Sequence, residues 1–168
     1  KLSTKHASLQ VVCGDGLDQA GVREAMAGHD AVICTVGGQG LRASTTMETV
    51  TGHLVKAMQQ HHINKIVYCA SAGIHKELKG AAGKFVMFLL RHVLADHANA
   101  YNLLQRSGLE WVVVRPMGLR NEEHTGYRIF AHMEPPQKSA ISRKAVADFI
   151  VKAVQTDEYN QQSIGLSY

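Results

Sequence analysis

The residues best suited to chemistry in this chain stand where apolar runs stop. In "KIVYCASAGIH" (residues 65–75) a run of strand formers ends on Cys69, Ala70, Ser71 and Ala72, one hydroxyl on a shelf of small side chains. Such a shelf either lets two backbones pack closely or seats a flat ligand, which Ser71 would orient. Three other apolar runs end similarly, at Gly14-Asp15-Gly16, Val36-Gly37-Gly38 and Pro116-Met117-Gly118. A single glycine-rich end signals only a turn. Four in succession point to a shared ligand cleft, because clefts form at the carboxyl edge of parallel sheets. Asp15 directly follows its apolar run, either as a turn residue capping the next helix or as an acceptor for an exocyclic amine or a ribose hydroxyl.

Other chemistries find little support. Cys13, Cys34 and Cys69 are odd in number and lack CxxC spacing, so small buried hydrophobes in a reducing cytosol are expected rather than disulfides or zinc ligands. Of ten histidines only His61 and His62 are adjacent, at a helix end where an imidazole complements the dipole, and no metal is expected. The net charge of +4 is scattered, without a Lys/Arg run or interleaved aromatics, which argues against a nucleic-acid partner. The longest apolar stretch, "FVMFLLRHVL" (residues 85–94), is interrupted by Arg91 and His92 and is too short to span a bilayer. No membrane partner is expected, and without a signal peptide the expected location is cytoplasmic.

The elements that must position these ends alternate strand and helix. Strands are expected at "SLQVVCGD" (8–15), "DAVICTVGG" (30–38), "KIVYC" and "LEWVVVRP" (109–116), with a last one at "SIGLSY" (163–168). The run at 30–38 has the composition of a strand buried on both faces. Helices are expected over 18–29, 44–61, 95–106 and 143–155. The second carries Met47, Val50, Leu54, Val55 and Met58 at three- and four-residue spacing. Gly108 suits a left-handed helix stop and Ser142 an N-cap. Residues 117–139 turn polar and irregular. Alternation of this kind implies an α/β fold with a parallel sheet covered on both faces, and 168 residues fit one domain.

With the ends placed, "VVCGDGLD", "AGHDAVICTVGG", "INKIVYCASAG", "LLQRSGLEWVVVRP", "SAISRKAVADFI" and "TDEY" resemble the atypical short-chain dehydrogenase/reductases. Within that group the likeness is to the flavin reductase/biliverdin-IXβ reductase branch and its NmrA-like NAD(P)-binding relatives. The resemblance implies a Rossmann-like doubly wound sheet and NADP or NAD as cofactor. It places Asp15 and Gly16 against the adenine and Val36 and Gly37 beneath the adenosine half. Gly38 and Gln39 would face the pyrophosphate, and Ala70 and Ser71 would lie by the nicotinamide. Pro116, Met117, Gly118 and Leu119 would hold the carboxamide through backbone groups. His97 falls where that branch has a histidine near its active site, so Ser71 and His97 become the catalytic candidates.

Three departures qualify the likeness. The family begins with a βαβ unit carrying a GxxGxxG phosphate loop. Here only a few residues precede the first expected strand, against the roughly 30 such a unit requires. The chain is thus expected to lack that unit and to continue upstream in the native protein. The YxxxK proton relay is also missing, since Gln105 stands four residues after Tyr101. Finally, Met117-Gly118 occupies the place of a histidine that the flavin reductase branch carries after its "RP" strand, which weakens the case for biliverdin reduction.

The leading expectation is hydride transfer from a nicotinamide cofactor to a small planar acceptor such as a flavin or quinone, which needs little acid catalysis. The alternative is a non-catalytic, NmrA-like dinucleotide-binding regulator that senses redox state. A sugar-nucleotide epimerase is a weaker third reading, for want of room and of YxxxK. Phe85, Met87, Phe88, Leu89 and Leu90 would line an acceptor pocket, join two copies as a homodimer, or simply pack in the core.

Overall fold

A computed structural model describes residues 4–38, 40–131, 134, 136 and 138–168. The apolar runs become parallel strands because each is followed by a helix that returns the chain across the sheet. The order is α1 (Gln19–Ala25), β1 (Ala31–Cys34), α2 (Thr46–Gln60), β2 (Lys65–Cys69), α3 (Gly80–Leu89), α4 (Arg91–Gln105) and β3 (Glu110–Pro116). Then come β4 (Gly118–Arg120), β5 (Arg128–Phe130), β6 (Ala140–Ser142), α5 (Arg143–Gln155) and β7 (Gln162–Ser167). The main sheet runs β1-β2-β3-β7-β5, parallel except for the antiparallel β5, and β4 pairs with β6 in a small parallel ribbon. This is the expected Rossmann-like sheet without its first βαβ unit.

Strand alternation divides the core into two layers. Ile66, Tyr68, Trp111 and Val113 face one way and pack on Met47, Leu54 and Met58 of α2 and Ala100 and Leu104 of α4. Val67, Val112 and Val114 face the other way, against Ala145, Phe149 and Ala153 of α5. Helices therefore cover both faces. Gly108 (φ +75°) ends the turn after α4, and Ser142 Oγ accepts from Ala145 N at 2.9 Å, as their positions in the sequence predict.

Several expectations are corrected. Residues 8–15 form no strand, and Leu9, Val11 and Val12 are exposed, because among the described residues no strand lies alongside them. The run at 30–38 yields only β1, an edge strand with Ile33 46% exposed rather than a strand buried on both faces. Cys13 is exposed, whereas Cys34 is buried and Cys69 half-buried; all three are free thiols. The helix expected from residue 95 starts at Arg91, and the irregular stretch at 117–139 contains β4 and β5. In α3 no residue is buried, so Phe85, Phe88 and Leu89 are not core.

Candidate functional site

The ends of β2 and β3 lie side by side because the two strands are parallel and in register, with Cys69 opposite Val114. Ala70 N then donates to Val114 O at 2.8 Å and Ala72 N to Pro116 O at 3.1 Å, so the small-residue shelf continues the ladder past the strand. Beyond it opens a cavity of about 970 Å³. Ala70, Ser71 and Ala72 form one side, and Pro116, Met117, Gly118 and Leu119 another. The α3 residues Ala82, Gly83 and Val86 supply an apolar wall, while Lys79, Lys138 and Arg143 are its charged residues. Among the described residues no carboxylate, imidazole, phenol or thiol lines this cavity.

The loop at Asp15-Gly16 and the end of β1 at Val36-Gly37 meet in a second cavity of about 340 Å³, walled also by Ser44, Thr46 and Val50. A Cβ on Gly16 would come within 3.1 Å of Val50 Cγ2, so the bare glycine sets how closely this loop approaches α2. Asp15 is a turn residue but does not cap the next helix. Its Oδ1 accepts from Leu17 N at 2.9 Å, making the turn, while Asp18 caps α1. An ionised carboxylate retains further acceptor positions. Gly38 lines neither cavity, and Gln39 lies outside the described residues.

His97 is placed elsewhere. It is buried on α4, on the wall of neither cavity, with Nδ1 2.8 Å from Tyr68 Oη. Burial pushes the Tyr68 phenol far above its usual range, so the phenol donates and the imidazole accepts. Burial also holds His97 below the ordinary imidazole range, against the opposing pull of Asp96. Asp96 caps α2 from a distance in sequence, accepting from Met47 N and Glu48 N at 3.1 and 2.9 Å. As pH falls below the ordinary value of about 6.5, the unfolded chain takes up a proton that folded His97 resists. Stability present above that value is therefore lost as pH falls toward the depressed folded pKa. In urea melts at about pH 7.5 and about pH 5.5, His97→Gln should show a smaller loss than the parent protein. An equal loss would remove His97 as a source of the pH dependence.

Tyr101 likewise lines neither cavity. Burial raises its pKa, Gln105 Nε2 donates to its Oη at 2.9 Å, and its ring packs edge-on against Trp111 and His75. Cys69 is pushed up to about 11, first by burial and then by Cys34, so it is a thiol at neutral pH.

What the strand-end pattern did not reveal is the support behind the cavity. Arg115 interrupts the apolar run of β3 and is fully buried. Its Nη1 pairs with Glu77, also buried, and its Nε donates to Ser163 Oγ at 2.9 Å. Its Nη2 reaches the Ala131 and Ser163 carbonyls at 3.4 and 3.3 Å. Glu77 in turn accepts from His75 N at 3.1 Å, and His75 Nε2 lies 2.8 Å from Ser163 Oγ. One guanidinium thus ties the loop after Ser71 to β3, β7 and the segment after β5. Burial lowers the Arg115 pKa, and the Glu77 carboxylate opposes that shift. The signal for this in the sequence is an arginine at the end of the apolar run Trp111-Val112-Val113-Val114, where a buried charge demands a partner.

Two cavities of small residues along one carboxyl edge of a mostly parallel sheet are the geometry of a dinucleotide-binding, Rossmann-type fold. The chain belongs to the NAD(P)H-binding family, whose model matches residues 1–157. It is similar to a short-chain dehydrogenase/reductase from Veillonella parvula in complex with NADP (TM-score 0.84, 20% identity, 97% of this chain and 74% of that one). It is also similar to an oxidoreductase from Lactococcus lactis (TM-score 0.80, 19% identity, 97% and 73%). An anaerobillin reductase from Escherichia coli O157:H7 matches with TM-score 0.73 and 21% identity (91% and 72%). A chloroplastic protein of Arabidopsis thaliana is 27% identical over 160 residues, and the match covers 90% of this chain but only 57% of that protein's length.

The residues present fit the two ends of a dinucleotide. Both cavities are lined largely by small side chains and bare backbone, at Gly16, Val36 and Gly37 in one and at Ala70, Ser71 and Gly118 in the other. This sequence contains no GxxGxxG spacing, the usual phosphate loop of such sites.

Proposed function

We propose that this chain forms the adenosine and nicotinamide seats of an NAD(P)H-dependent reductase acting on a flat, easily reduced acceptor such as a flavin or quinone. The supporting observation is the larger cavity, which is roomy and largely apolar, has Ser71 on its wall and Lys79, Lys138 and Arg143 among its residues, and has no described carboxyl, imidazole or phenol to donate a proton. A bound reduced nicotinamide supplies the hydride. Ser71 Oγ, now donating to Ala72 O at 3.2 Å, turns to orient the carboxamide or the acceptor, and the backbone from Pro116 to Leu119 holds the carboxamide edge. The cations favour an acceptor carrying negative charge. His97 is a packing residue rather than a proton donor in this scheme. The free thiols support a reducing compartment, and we place the protein in the cytoplasm.

The test follows reduced-cofactor oxidation with flavin and quinone acceptors. Ser71→Ala should lower kcat/KM by about tenfold, the worth of one hydrogen bond, while His97→Gln should leave kcat nearly unchanged. Cofactor binding without turnover by any acceptor would instead favour the redox-sensing regulator.

A further inference from the structure

We propose that α3 is a docking element for the surface of an anionic lipid bilayer. Apart from Lys84, α3 consists of apolar residues and glycine, a composition normally buried, yet no residue of α3 is buried. Phe85 and Phe88 are 67% and 63% exposed, with Val86 and Leu89 beside them. Ala81, Phe85 and Phe88, at i, i+4 and i+7, form the outward stripe, while Ala82, Val86 and Leu90 form the stripe along the larger cavity.

Charge identifies what covers the outward stripe. Between residues 73 and 95 the exposed charged side chains are Lys76, Lys79, Lys84 and Arg91, all cations. The single acid of that segment, Glu77, is buried against Arg115. Arg91 lies over the Phe88 ring at 4.8 Å, so a cation stands directly beside an exposed aromatic. Exposed aromatics bordered by cations alone match the headgroup boundary of an anionic membrane. A second copy is a poor occupant, since a two-fold contact through α3 would bring Lys84 and Arg91 of both copies together without an acid to balance them. An in-plane helix requires no spanning length, so the lack of any described helix long and apolar enough to cross a membrane does not bear on it. The docked helix would put the rim of the larger cavity at the lipid surface.

Flotation of the protein with phosphatidylcholine vesicles, with and without phosphatidylglycerol, tests the docking without reference to turnover. Binding is expected only with phosphatidylglycerol and should weaken with salt. Lys84→Glu should reduce it at least about fivefold, the effect of one cation near the surface. A Phe85→Ser, Phe88→Ser double variant should reduce it about tenfold or more. Both rings are exposed, so the double variant should melt as the parent does. Absence of binding to phosphatidylglycerol vesicles, or binding that the double variant retains, overturns the proposal. So does a dimer in sedimentation that the double variant abolishes, because the stripe would then belong to a second copy.

Discussion

Glu77→Gln is expected to destabilise the fold by about 3–5 kcal/mol, the penalty for leaving a buried guanidinium without its counter-charge. Arg115 has no exposed surface to which it can retreat, and its remaining partners are a hydroxyl and carbonyls. Urea unfolding at neutral pH measures the loss. Replacing both partners with apolar residues, Glu77→Leu with Arg115→Met, should restore much of it, because the desolvation of two charges is removed along with their attraction. If Glu77→Gln alone proved nearly neutral, the buried pair would not be what ties this loop to β3 and β7. The loop this clamp holds carries Ser71, Leu78 and Lys79 into the cavity wall, so a surviving Glu77→Gln protein should also bind cofactor less tightly.

Ser71→Phe should have the largest effect on ligand binding. The side chain stands half-buried on the wall of a cavity of about 970 Å³, so an aromatic ring finds space there and folding should be little affected. The same ring would take the place proposed for the nicotinamide, and reduced-cofactor binding should weaken about 100-fold or more, equivalent to at least about 2.7 kcal/mol. Fluorescence titration with NADPH and NADH reads this directly. Unchanged affinity for both would move the nicotinamide seat away from Ser71. Comparing Ser71→Ala in the same titration separates loss of a hydrogen bond from loss of space.

The strands most legible in the sequence were those with a neighbour on each side. β2 and β3 are apolar through their middles because both faces are covered, and their small-residue ends meet in one cavity as their order along the chain implied. Leu9, Val11 and Val12 looked equally strand-like but lie exposed, since strand propensity yields a ladder only where a partner strand exists. β4 and β5 escaped notice for the opposite reason. Each is three residues long in a polar stretch and is fixed by its pairing with β6 or β7.

By itself the sequence determined the alternation of elements, the apolar pattern of the two core layers and the small residues at the strand ends, because these depend on local periodicity and turn chemistry. Tertiary structure decided the rest. It placed His97 against Tyr68 rather than in a cavity, joined Glu77 to Arg115 across 38 residues, and left the apolar α3 outside the core. Each of those outcomes depends on which elements become neighbours in space, and local spacing carries no record of that.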